Sequence, residues 1–135
     1  MYDAIILSYA GIKSLNIIDQ ISEIFSVQKL IPSAGQGVIS LQCREDDNRI
    51  ISILKKTNHS ETYRRVSAER SVLKVLDGDC ETAIGVYSNI KEDIIELKAE
   101  LFSLDGNEKF YVQSSKGLVN KICMLFFISV IRFCF

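Results

Sequence analysis

Between residues 94 and 103 the chain alternates with a period of two: Leu97, Ala99 and Leu101 interleave with Glu96, Lys98 and Glu100. Successive side chains of a strand point to opposite faces, so this pattern demands an extended segment with one buried and one solvated face, as in a half-covered antiparallel sheet. Asp105 and Gly106 then supply a tight turn, and residues 108–113 return as a partner strand. A third strand is predicted near residues 84–89. Upstream, residues 58–76 read as a helix, with Asn58 as N-cap, Glu61 three positions on as in a capping box, and Gly78 as the stop. One helix and three antiparallel strands make an α+β unit over residues 58–114. The alternation turns Leu97, Ala99 and Leu101 toward that helix and leaves Glu96, Lys98 and Glu100 in solvent.

The residues before this unit follow a different logic. Residues 4–9 form a short apolar run, read as a buried strand that feeds Ala10 and Gly11 and then a helix around residues 17–25, one βα unit. Pro32, Gly35 and Gly37 break the pattern and mark a crossing loop. Residues 37–43 alternate again and are predicted as a strand, with Ile39, Leu41 and Cys43 on its core face. A helix carrying Ile50, Ile51, Ile53 and Leu54 follows.

Composition narrows the class. With 135 residues, 47% hydrophobic content and a net charge of −1, the chain suits one domain or two small ones and carries no basic excess of the kind that binds nucleic acid. The start has no basic segment leading into an apolar core and cleavage site, so no signal peptide is expected. Four cysteines without regular spacing, and one histidine, argue against a disulfide framework or a metal site. A cytoplasmic location is the default reading.

Cys80 is the residue with the clearest chemical meaning. It stands in LDGDC at 76–80, on the connection between the predicted helix and the next strand. The negative end of the helix dipole and the carboxylates of Asp77, Asp79 and Glu81 all disfavour a thiolate, the opposite of what a redox or protease cysteine needs. The thiol reads as a point of covalent attachment. Among the other candidates, Gln36 between two glycines can donate into a cleft that backbone approaches closely. His59 reads as a surface or capping neighbour, and Arg64, Arg65 and Arg70 either meet carboxylates or form a solvated helix face.

Three ordered segments carry a resemblance. NHSET at 58–62 with VSAERS at 66–71 and LDGDC at 76–80, DAIIL at 3–7 with AGIK at 10–13, and PSAGQGV at 32–38 with QCR at 42–44 together resemble porphobilinogen deaminase, also called hydroxymethylbilane synthase, over roughly residues 2–114. The resemblance implies that Cys80 holds a dipyrromethane cofactor through a thioether and that Gln36 lies near it. It implies the joining of four porphobilinogens into hydroxymethylbilane, with release of ammonia, in heme biosynthesis. By the same resemblance, residues 1–31 are the end of the family's second domain and 32–57 the crossing loop and return segment of its first, both periplasmic-binding-protein-like α/β domains. Residues 58–114 are then the cofactor-attachment domain.

The family's catalytic aspartate and most of its carboxylate-binding arginines lie upstream, so the chain is expected to be a C-terminal fragment, inactive alone, with a separate N-terminal half as one conceivable partner and a monomeric full-length protein. Ser14 stands where the family commonly has an arginine, which would grip a carboxylate bidentately. A noncatalytic α+β interaction module, or a decayed gene product, is the alternative. Residues 115–135 depart from the family: where it closes with an amphipathic helix, residues 122–131 are apolar but for Ser129. That run is far short of the roughly 20 residues that span a bilayer. A frameshift or early stop, a buried terminal element and membrane contact are its three readings.

Overall fold

The computed structural model describes residues 2–76 and 82–118. The chain divides into two units, one ending at Leu30 and one beginning at Ile31.

In the first unit, helix α1 spans Tyr9–Ser14, with the Ser8 hydroxyl accepting from the Gly11 amide at 3.3 Å as its N-cap. Residues 4–8, predicted as a buried strand, have no regular structure, and Ile5 and Ile6 are about 70% exposed. The helix predicted around residues 17–25 is a single 3-10 turn, Ile18–Gln20, whose N-cap makes no side-chain hydrogen bond. Apolar runs alone do not make a strand, because its amides and carbonyls need a laddered neighbour. Lys29 pairs with Glu23 and lies over the Phe25 ring.

The second unit contains the sheet. Strands β1 (Ile84–Lys91), β2 (Ile94–Phe102) and β3 (Lys109–Gly117) form an antiparallel meander in the order β1-β2-β3. Glu92 and Asp93, both at positive φ, close the first hairpin as the two central residues of a primed turn. The second hairpin is wider than Asp105 and Gly106 alone suggest: Ser103 donates its amide to Glu108 across the loop, with Gly106 at φ 71°.

Helix α3 (Ser60–Val75) lies on β1 and β2. Ala68 and Val72, one turn apart, meet Val86, Ile95, Leu97 and Ala99 in the core. Val72, Val86, Ile95 and Leu97 are nearly fully buried, and each contributes about 1.5–3 kcal/mol by leaving water. The α+β architecture over this stretch is the one the period-two pattern predicts. Three details differ. Leu101 is only half-buried, Glu96 and Lys98 are half-buried rather than fully solvated, and Glu100 is buried, its charge met by Lys109 at 2.6 Å on the neighbouring strand.

Helix α2 (Asn48–Thr57) is capped by Asp47, whose carboxylate accepts from the Ile50 amide at 3.0 Å. Asn58, predicted as the N-cap of α3, is instead the C-cap of α2; His59 caps α3, its Nδ1 accepting from the Thr62 amide. Residues 37–43, predicted as a strand, are irregular, and Ile39 is 89% exposed. Cys43 is therefore a half-buried free thiol on an irregular segment, not a strand-core residue.

Candidate functional site

Pro32 to Gly37 bends through two successive tight turns. The Gln36 amide donates to the Ser33 carbonyl at 3.0 Å and the Val38 amide to the Gly35 carbonyl at 3.2 Å. Each turn places a glycine at its third residue, Gly35 at φ 75° and Gly37 at φ 77°, where a type II turn requires positive φ.

This segment is fastened to the free edge of β1. The Val86 amide donates to the Pro32 carbonyl at 2.8 Å. Gly85 has no room for a side chain, since a Cβ would sit 2.5 Å from the Ile31 carbonyl oxygen. Beyond that contact α3 takes over. Glu69 is 5% exposed, and one carboxylate oxygen accepts from both the amide and the hydroxyl of Ser88, at 2.9 and 2.8 Å, while the other accepts from the Gly35 amide at 2.8 Å. Arg65 donates from Nε to the Ser88 carbonyl at 2.8 Å, its guanidinium 5.4 Å from the centroid of the Tyr87 ring. Edge groups that would otherwise invite a foreign strand are thus satisfied from within the chain.

Between this turn segment, α3 and β1 opens a groove of about 480 Å³, lined by Gln36, Val38, Thr62, Arg65, Val66 and Tyr87 among others. A second cavity of about 420 Å³ continues past Ile39 and Leu41 toward Leu54 and Tyr63.

Of the residues singled out in the sequence, Gln36 is exposed at the groove and Arg65 is half-buried in its wall, whereas Arg64 and Arg70 are exposed. His59 is an exposed cap. The Ser14 hydroxyl bonds the Ala10 carbonyl at 3.0 Å, one turn back in its own helix. Cys80 and the tail from residue 119 lie outside the described residues. The structure does define what Cys80 connects, since Leu76 closes α3 and Ile84 opens β1. The groove is lined by α3 only as far as Glu69, seven positions before Leu76 and so about 10 Å short of the helix end. Glu69 was not marked in the sequence as a site residue. Its signal was a carboxylate beside the apolar stripe of Ala68 and Val72.

The architecture is that of an α+β domain whose edge strand is bound to a glycine-turn segment. Residues 1–52 match the family model described as porphobilinogen deaminase, dipyromethane cofactor binding domain, and residues 63–122 match porphobilinogen deaminase, C-terminal domain. Porphobilinogen deaminase of Desulforamulus reducens is 42% identical over 119 residues, covering 88% of this chain and 38% of the relative. That of Carboxydothermus hydrogenoformans is 45% identical over 104 residues, 77% of this chain and 33% of the relative, and that of Chlorobium phaeovibrioides 39% identical over 121 residues, 90% and 36%. The chain belongs to the porphobilinogen deaminase family, and it spans about a third of the length of these relatives.

Proposed function

We propose that this chain serves tetrapyrrole biosynthesis as the cofactor-attachment part of a porphobilinogen deaminase, with Cys80 as the thioether anchor of dipyrromethane. The observation that supports the reading most is one of order. The two matched domain models follow one another in the chain, and LDGDC at 76–80 falls inside the second, on the connection between α3 and β1. The cofactor supplies a covalently held pyrrole onto which the substrate pyrroles are joined. The chain's contribution is a thiol on a short connection between two packed elements, so the attachment point is anchored at both ends. Gln36 stands on a turn segment that Glu69 and Pro32 hold against the same domain.

The overall reaction of the family, four porphobilinogens condensed to hydroxymethylbilane with loss of four ammonia molecules, needs a carboxylate to steer proton transfers and stabilise cationic intermediates. By family resemblance that aspartate lies upstream of this chain, and residues 1–31 and 32–57 are partial segments of the family's second and first periplasmic-binding-protein-like domains. The 135-residue chain alone is therefore proposed to be inactive, because a partial cleft cannot preorganise charge around the reacting ring. Mixing it with the upstream part of a relative and measuring hydroxymethylbilane from porphobilinogen tests the reading. Turnover that requires both parts and Cys80 supports it; turnover by the chain alone, undiminished in Cys80→Ala, overturns it.

A further inference from the structure

The loop between β2 and β3 contains one of the chain's two Asp–Gly pairs, Asp105–Gly106; the other, Asp77–Gly78, lies outside the described residues. A glycine after an aspartate leaves the next peptide nitrogen unshielded, because no Cβ stands beside it. Here the nitrogen is open from outside as well. At Gly106, φ 71°, a Cβ would meet nothing within 4 Å, and both residues of the pair are exposed. The Asp105 carboxylate is folded forward over this peptide bond: Oδ1 accepts from the Asn107 amide at 3.2 Å and Oδ2 from the Asn107 side-chain amide at 2.6 Å. A carboxylate that bonds the amide two residues on closes a ring around the intervening peptide, so Cγ is held beside the Gly106 nitrogen.

That juxtaposition sets an acyl carbon next to a peptide nitrogen. We propose that Asp105–Gly106 is a site of isoaspartate formation, with Ser103 as the brake on the rearrangement. The Gly106 nitrogen attacks Cγ of the protonated carboxyl; the N–Cγ bond forms, a Cγ–O bond breaks, and the amide proton leaves with the carboxyl OH as water. Water then opens the resulting imide at the Asp105 main-chain carbonyl and breaks its bond to the Gly106 nitrogen. The chain now runs on through Cγ, with no net change in mass. Two contacts oppose the first step. The Ser103 carbonyl holds the Gly106 N–H at 2.9 Å, and the Ser103 hydroxyl donates to Oδ1, favouring the ionised carboxyl, which has no OH to lose. Ser103 also closes the loop, its amide donating to the Glu108 carbonyl at 3.0 Å and its hydroxyl accepting from the Glu108 amide at 2.9 Å. An extra backbone carbon between these ends loosens the hairpin just before Lys109, the residue that covers Glu100.

Warm storage of the 135-residue chain at mildly acidic pH, followed by peptide mapping with mass detection, tests this directly. The peptide containing Asp105 should divide with time into two elution positions of one mass, read separately from the peptide containing Asp77. Gly106→Ala should suppress the second position. Ser103→Ala should speed its appearance by at least about tenfold for each pH unit by which the Asp105 midpoint moves upward, since the protonated fraction rises in that proportion. In the isomerised chain, hydrogen exchange at the Glu108 amide should rise while that at Leu97 stays unchanged. Should Ser103→Ala disturb Leu97 as well, Asn107→Ala decides: it keeps the Ser103 closure, removes one donor from the carboxylate, and should also speed the reaction. A single elution position throughout, a rate unaltered in both Ser103→Ala and Asn107→Ala, or an undiminished rate in Gly106→Ala overturns the proposal.

Discussion

Ser88 presents its amide and its hydroxyl to one carboxylate oxygen of Glu69, at 2.9 and 2.8 Å, and so fastens the edge of the sheet to the helix that covers it. The other oxygen of Glu69 reaches the Gly35 amide. A single buried side chain thereby holds three parts of the unit together: α3, β1 and the glycine turns. Glu69→Ala leaves the Ser88 and Gly35 donors without their acceptor and should lower unfolding stability by about 2–4 kcal/mol, read by urea denaturation. Glu69→Gln keeps one acceptor oxygen and loses the other, so it should cost less and raise hydrogen exchange at Gly35 more than at Leu97. Equal exchange at both positions would contradict a local fastening.

Gly85 and Gly106 offer a paired test of close approach. A methyl group at Gly85 meets the Ile31 carbonyl oxygen at 2.5 Å, whereas at Gly106 it meets nothing within 4 Å. Gly85→Ala should push Ile31 and Pro32 off β1, break the Val86–Pro32 hydrogen bond and cost about 2–3 kcal/mol, by overpacking and one lost buried bond. Gly106→Ala pays only for its positive φ, about 1 kcal/mol. Denaturation midpoints that rank the two in the reverse order would contradict the geometry at the sheet edge.

Leu97 lies at the centre of the middle strand, opposite Ser88 on one side and Ser114 on the other, and is 1% exposed. Leu97→Ala should cost about 2–5 kcal/mol through lost burial and the cavity left behind. The same truncation at Leu104, which is 95% exposed, should change the midpoint little.

Asp105 sits in the β2–β3 loop, and its carboxyl titrates below the usual 3.8 because the Ser103 hydroxyl, followed by the Asn107 amide and side chain, donates to the charged form. A depressed folded value means that the stabilisation is present above about pH 3.8 and is lost as pH falls through the lower folded midpoint. Being fully exposed, this contact orders the loop locally. Titration of the Asp105 carboxyl by NMR should show a midpoint below 3.8, moving upward in Ser103→Ala; an unmoved midpoint would contradict the assigned cause.

The β2–β3 hairpin and α3 were legible in the sequence because each carries its own signal: alternation from Glu96 to Leu101 with Asp105 and Gly106 after it, and a helical run before it, whose cap is His59 and not the predicted Asn58. Residues 4–8 and 37–43 carried period or apolarity without a laddered partner strand among the described residues, and they are irregular. Alternation also failed at Glu100, where Lys109 on the next strand closes over the carboxylate. The resemblance pointed to Gln36, but the reason it can hold a position came from Glu69, whose three donors are distant in sequence and leave no periodic trace. The covering of the β1 edge likewise depended on tertiary contacts from Pro32 and Arg65.

The central claim is that Cys80 is the anchor of a covalent dipyrromethane. Intact-mass measurement with peptide mapping, on the chain combined with the upstream part of a relative and supplied with porphobilinogen, tests it most directly. The expected result is one dipyrromethane adduct on the peptide containing Cys80, absent in Cys80→Ser. An adduct on Cys43, Cys123 or Cys134, an adduct retained in Cys80→Ser, or no adduct in an active mixture would contradict it.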